Sequence, residues 1–288
     1  MSNLTARILF AVVAIPVVLG AVWVGGVVLA LLLAAAGALG AWEYYRIARE
    51  AGHTPLVPLG IGIAFLLPLA LHLYRVGRFE PPTLALGAAV LIVIFATSIF
   101  ARGPEGRPIG AAATTLFGIA YASGLLAFAY GLRYHTYAVG ARAGTVLLFY
   151  PLALTWISDT GAYAVGRAVG RHKLIPAVSP GKTVEGAVGA LVLCAILSWV
   201  YARWLLAPLA LLGVRPGTAV LFGIVLSVAV QLGDLVESLI KREAGVKDSS
   251  HLIPGHGGVL DRLDGMLFAL PVAYLFLTYP HVLFPAIR

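Results

Sequence analysis

The chain has 288 residues, of which 60% are hydrophobic and only 11% charged, and its formal net charge is +8. So little charge excludes an ordinary soluble domain, in which about a quarter of the residues are charged. A single cysteine, Cys194, excludes an intrachain disulfide and a thiolate metal cluster, and reads as packing.

Apolar runs long enough to cross a hydrocarbon core of about 30 Å as helices recur along the chain. Lipid cannot satisfy an open backbone, so the expected fold is all-α, a polytopic integral membrane protein. Nine spans are predicted, at about 8–24, 26–43, 56–74, 83–100, 109–132, 145–166, 184–208, 217–240 and 265–284. The first two turn near Gly25 and Gly26 and run too far to be a cleaved signal; a re-entrant hairpin is the alternative. Pro81 and Pro82 start the fourth, where a missing N–H costs nothing. Glycines and Ser123 permit a break in the fifth.

With the N-terminus inside, the basic residues divide thirteen to seven in favour of the cytoplasmic loops. This accounts for the net charge without nucleic acid, and it is compatible with an anionic substrate or lipid surface. Loops 167–183 and 241–264 then face the cytoplasm together. Residues 1–135 hold no acidic residue inside a span except Glu43 at an end, and read as a transmembrane scaffold. Residues 136–288 read as the catalytic region. The absence of an internal repeat argues against a transporter built on inverted halves.

Eight of the twelve acidic residues lie from 159 to 264. Asp159, in Ser158-Asp159-Thr160-Gly161-Ala162-Tyr163, sits inside an apolar run, where a carboxylate is costly unless paired, metal-bound or hydrated. It is a functional group on one reading and the buried partner of an arginine on the other. Gly161, Gly166 and Gly170 read as helix-packing positions. The polar loop 173–186 follows. Its Gly181-Lys182-Thr183 is no P-loop, because Pro176 stands where the earlier glycine belongs and no soluble strand precedes it. Lys182 is a phosphate ligand, or else the loop ends in a simple cap made by Thr183 and Glu185.

Asp234, Glu237, Ser238 and Lys241 stand at i, i+3, i+4 and i+7 and share one helix face with polar character, joined by Gln231. A self-neutralised ladder of the two acids with Lys241 could explain that face alone. Next, Pro254-Gly255-His256-Gly257-Gly258 offers backbone amides that could form an anion nest. Asp261 and Asp264 follow on the first turn of the last helix, as caps or as metal ligands. With Asp234 and Asp159 they make a hard-oxygen set of the kind Mg²⁺ uses beside phosphates. Lys241, Arg242, Lys247 and Arg262 alternate with these acids and suit phosphate oxygens. His256 is a general acid or phosphate donor, or caps the glycine turn. His251 reads as structural or exposed.

From Ser238 to Asp264 the chain resembles the C-terminal signature of the phosphatidate cytidylyltransferases, also called CDP-diacylglycerol synthases. The matching fixed positions are Ser238, Lys241, Arg242, Lys247, Asp248, Pro254, His256, Gly257, Gly258, Asp261, Arg262 and Asp264. Residues 158–163, together with Ser179-Pro180, Lys182-Thr183 and Glu185-Gly186, are similar to two further patches of that family; Val184 stands where many members carry Trp. The resemblance covers about residues 145–275. It implies transfer of CMP from CTP to phosphatidic acid for phospholipid synthesis, a Mg²⁺ requirement, a homodimer, and a site at the cytoplasmic face of the cell inner or plasma membrane. The residues it implies for catalysis are Lys241, Arg242, His256, Asp261, Arg262 and Asp264. Substrate would be held by Lys182, Thr183, Ser238, Lys241, Arg242, Lys247, Gly257, Gly258 and Arg262, and the metal by Asp159, Asp234, Asp261 and Asp264.

Two other classes compete. A CDP-alcohol phosphotransferase shares Asp261-x-x-Asp264-Gly265, but here Met266-Leu267-Phe268 follow and no later carboxylate exists. A transporter or proton relay would use the intramembrane acids without needing the Lys-Arg and His-Gly-Gly loop beside them.

Overall fold

A computed structural model describes residues 3–80, 83–253, 255, 257–279 and 281–286. The chain is all-α and polytopic, as expected. Helices α1 (Asn3–Val24), α2 (Gly26–Glu50), α3 (Val57–Arg75) and α4 (Thr83–Arg102) match the first four runs. The fifth run is α5 (Pro108–Gly118), a π-helical segment (Ile119–Gly124) and α6 (Phe128–Arg133), so the break expected near Ser123 exists. Then come α7 (Gly140–Val169), β1 (Lys173–Ile175), β2 (Ser179–Thr183), α8 (Val184–Tyr201) with a π-helical extension (Ala202–Ala210), β3 (Leu212–Gly213), α9 (Pro216–Glu243), α10 (Leu260–Thr278) and β4 (Phe284–Pro285). Pro81 and Pro82 lie outside the described residues.

Among the described residues, seven helical segments are long and apolar enough to cross a membrane. The first and last runs fall outside that set: the apolar part described in α1 is Val12–Val24, and α10 opens with Asp261, Arg262 and Asp264. Bulky side chains on α4, such as Leu84 and Phe100, are exposed, as a lipid-facing helix requires.

The chain forms two compact units, Met1–Tyr130 with Ile240–Arg262, and Gly131–Leu239 with Leu263–Arg288. The signature loop therefore belongs to the same unit as the N-terminal helices. In that first unit α2 is the central element. Its Tyr45 is fully buried, with its ring against Gly60 of α3 and Gly118 of α5 and its hydroxyl donating to Thr115 O at 2.7 Å. Neither glycine could carry a Cβ without striking the ring, which is the small-residue packing that apolar surroundings favour. Helices α2, α3 and α9 each end in paired reverse-turn bonds around a left-handed glycine: Gly52, Gly77 and Gly245.

In the second unit α7 packs along α8. Gly161 meets Ala190 and Leu193, Gly166 meets Thr183 and Gly186, and Gly170 meets Thr183, so these three are packing positions as the sequence indicated; Gly189, against Val165, is a further one. Cys194 is buried with its Sγ 3.5 Å from Leu154 O. The stretch 173–186 departs from expectation. Where a polar loop was expected, 173–183 form an antiparallel hairpin, with Lys173 opposite Thr183 and Ile175 opposite Ser179, and 184–186 already belong to α8.

Candidate active site

The first unit organises the signature loop around one carboxylate. After α9 stops at Glu243, Val246 N bonds back to Lys241 O at 3.0 Å, and the loop is later pinched by Ile253 N donating to Gly257 O at 2.8 Å. From the first turn of α10, Asp261 reaches back across this loop. Its Oδ2 accepts from Gly258 N at 2.8 Å, Ser249 N at 2.9 Å and Ser249 Oγ at 2.8 Å. Its Oδ1 accepts from Lys241 Nζ at 2.6 Å. Burial disfavours the charged carboxyl, but the bonds from Lys241, Gly258 and Ser249 and the Lys241 charge outweigh it, holding the pKa at about 2. Asp261 precedes the apolar part of its helix, 265–278.

Two sequence readings change here. Lys241 takes Asp261 as a partner across the loop, and Asp261 lies inside the first turn of α10 and not at its N-cap. The glycines also have a different use. A Cβ on Gly257, whose φ is +82°, would come 2.6 Å from Asp261 Oδ2, and one on Gly258 would collide with Ser249 and Glu43. They make room for carboxylates, and the Gly258 amide is already taken by one. His256 lies outside the described residues.

Glu43, which sequence reasoning left in the scaffold, is the second carboxylate beneath the signature loop. It is fully buried near the end of α2, and it accepts from Ser250 Oγ at 2.5 Å, Val259 N at 2.9 Å, Leu260 N at 2.6 Å and Ser249 Oγ at 3.2 Å. One turn further along α2, Arg46 donates to Ser249 O. The only available signal was an acid at the end of an apolar run. Arg242, Lys247 and Arg262 are exposed. A cavity of about 310 Å³ beside Lys247 is lined by Arg46, Glu50, Val246, Asp248 and His251 as well.

The second unit holds the other candidates. β2 presents Lys182, whose Nζ lies 2.6 Å from Asp234 Oδ2 on α9. Ser238 Oγ approaches Asp234 Oδ1 at 3.5 Å, one turn along the same helix. Thr183 caps α8, its Oγ1 accepting from Gly186 N at 3.1 Å. Glu185 fixes the turn after α7 by accepting from the amides of Arg171 at 3.0 Å and His172 at 3.2 Å. Asp159 on α7 is exposed, while neighbouring Ser158 is buried and bonded to Ser227 at 2.9 Å. Gly233 of α9 packs directly on the backbone of Asp264 and Gly265, so Asp234 and Asp264 issue from adjoining backbone.

Among the described residues, no three His, Cys, Asp or Glu side chains converge into a ready metal cage. Mg²⁺ is held by one or two carboxylates and completed by water and substrate phosphates. The carboxylates of Asp234 and Asp264 are hard-oxygen donors of that kind.

A cytidylyltransferase family model matches residues 5–280, nearly the whole chain. The chain belongs to the cytidylyltransferase family. It is 36% identical to a phosphatidate cytidylyltransferase of Haemophilus influenzae, over 93% of this chain and 96% of that one. A phosphatidate cytidylyltransferase of Bacillus subtilis is 32% identical over 96% of this chain and 98% of its own. Family membership agrees with the resemblance carried by the signature, and extends it to the N-terminal helices that bear Glu43.

Proposed function

We propose that this cytidylyltransferase-family member transfers CMP from CTP to phosphatidic acid at the cytoplasmic face of the membrane, giving CDP-diacylglycerol and pyrophosphate. The observation that carries the reading is the fold-back of the signature: Asp261 fixes Lys241 at 2.6 Å while Arg242, Lys247 and Arg262 remain exposed. A set of cations, one held by a carboxylate and three exposed, suits two phosphate-bearing substrates, one of them a lipid.

The phosphatidate phosphate is already ionised, so its oxygen attacks the α-phosphorus of CTP without a strong base. The new P–O bond forms as the bond to the bridging oxygen of the β-phosphate breaks, and that oxygen leaves with pyrophosphate. Alignment and charge neutralisation dominate such a reaction. Lys241, Arg242, Lys247 and Arg262 bind phosphate oxygens, and Lys182 exchanges its contact with Asp234 for one with substrate. Asp261 orients Lys241. Asp234 and Asp264, with Asp159 as a further donor, would hold Mg²⁺, which would supply neutralisation of phosphate charge.

The test is purified protein in lipid nanodiscs with phosphatidate, CTP labelled at the α-phosphate, and Mg²⁺. Label should enter the lipid fraction as CDP-diacylglycerol, with one pyrophosphate released per lipid formed. Label that stays in water, or consumption of CDP-diacylglycerol with an alcohol, would overturn the reading.

A further inference from the structure

Four polar atoms that can donate converge on Glu43: two serine hydroxyls, of Ser249 and Ser250, and two backbone amides, of Val259 and Leu260. The two amides can only donate, and a carboxylate has the acceptor capacity to take both and the hydroxyls as well. Val259 and Leu260 stand at the start of α10, whose first amides lack intrahelical partners and would otherwise attract a phosphate. Glu43 occupies them. Those amides are therefore not the phosphate site, and the burden of binding phosphate falls on the cations.

The Ser249 hydroxyl lies between two carboxylates, 2.8 Å from Asp261 and 3.2 Å from Glu43, and it has one proton to give. Asp261 in turn holds Lys241. Glu43, Ser249, Asp261 and Lys241 thus form one continuous chain of contacts from α2 to the end of α9. Gly258 lacks a side chain at the point where that chain is most crowded, since a Cβ would strike both Ser249 and Glu43.

We infer that Glu43 is a positioning residue for the reaction: it fixes the signature loop and the start of α10, and through Ser249 sets the Asp261 carboxylate that holds Lys241. The inference rests on the proposed cytidylyltransfer for its kinetic consequence, and on geometry alone for the positioning itself. Glutamine is the informative replacement because it keeps the volume and turns one acceptor into a donor that faces other donors.

Hydrogen–deuterium exchange and steady-state kinetics should be measured on purified Glu43→Gln, Glu43→Asp and the parent in nanodiscs. In Glu43→Gln, exchange at the amides of 249 and 258–260 should rise about tenfold while other helices stay as in the parent, and kcat/KM should fall about tenfold or more. Glu43→Asp, still acceptor-only, should recover part of both. A purely structural role would lower the melting temperature yet leave parent-like kcat/KM in the folded fraction, and that result overturns the inference. Unchanged exchange at those amides overturns it as well. Should Glu43→Gln not survive purification, Ser250→Ala removes one of the four donors and should show the same two changes at about threefold; no change there overturns the inference. A parent without CDP-diacylglycerol synthesis would sink the proposed function, while the exchange data would still judge the positioning.

Discussion

Lys241 and Asp261 stand twenty residues apart in the chain and 2.6 Å apart in space, their side chains only 13% and 7% exposed. The pair joins the end of the longest polar helix face to the first turn of the last helix. Lys241→Met removes one donor and leaves Asp261 three others, so it should cost about 1–3 kcal/mol, less than an isolated buried charge would. Turnover should fall about 100-fold, from loss of a fixed cation at the phosphates. Thermal melts and CDP-diacylglycerol assays of Lys241→Met and of Lys241→Met with Asp261→Asn separate the two roles. A double variant regaining both stability and activity would return Lys241 to the scaffold.

The pH dependence of that pair follows from the sign of its shift. Asp261 is held at about 2, below the 3.8 usual for its carboxyl. Its stabilising contribution is present above the unfolded value and disappears only as pH falls through about 2. Between about pH 5 and about pH 9 it does not titrate, so an acidic limb in kcat/KM across that range belongs to another group. Asp261→Asn should therefore lower activity without moving the apparent pKa of such a limb; a limb that vanished would assign it to Asp261.

Asp264→Asn and Asp261→Asn should both abolish most turnover, for different reasons. Asp264 accepts from its neighbouring Gly265 amide at 2.7 Å and issues beside Asp234, as the proposed metal ligand. Its amide variant should melt within a few degrees of the parent and show a weakened Mg²⁺ dependence. Asp261→Asn places a donor among four donors, and should lower the melting temperature markedly. Equal melting temperatures for the two, or full activity of Asp264→Asn at saturating Mg²⁺, would remove this division of labour.

The apolar runs were legible because lipid imposes a length and a composition that a window can measure, and each predicted span has a helix. What periodicity could not supply was partnership over distance. Glu43 meets Ser249 and Ser250 more than two hundred residues away, so nothing local distinguished it from a snorkelling acid at a span end. Helical spacing offered Asp234 to Lys241, and gave no sign of the partner that comes across a loop, Asp261. The hairpin 173–183 was hidden by Pro176, Pro180 and Gly181, since strands of three and five residues bearing strand breakers show no alternation. Glycine next to histidine looked like an anion nest. The structure fills the space beside Gly257 and Gly258 with carboxylates.

Membrane orientation is testable with single cysteines in a Cys194→Ala background. Ser249 is fully buried and unsuited to labelling, so Leu252, 48% exposed, represents the signature loop. Ala177 at the exposed turn of the hairpin represents the other loop. Both Ala177→Cys and Leu252→Cys should react with an impermeant maleimide only from the cytoplasmic side, and Tyr137→Cys only from the other. Reaction of the two loop positions from opposite sides would refute a cytoplasmic site fed by both.

Gly258 and Gly245 give a matched pair for the crowding around Glu43. Gly245 has a φ of +68° and open space around it, so Gly245→Ala should cost about 1 kcal/mol of backbone strain and little activity. At Gly258 the added methyl would overlap both Ser249 Oγ and Glu43 Oε1, and the loop must shift to admit it. That shift breaks bonds to buried carboxylates, so Gly258→Ala should cost about 2–4 kcal/mol, and activity should fall about tenfold or more in the protein that remains folded. Melting temperature and kcat/KM measured on the two alanine variants decide the matter. If Gly258→Ala is no worse than Gly245→Ala in either quantity, the loop tolerates displacement and the carboxylates beneath it are not what fixes the signature.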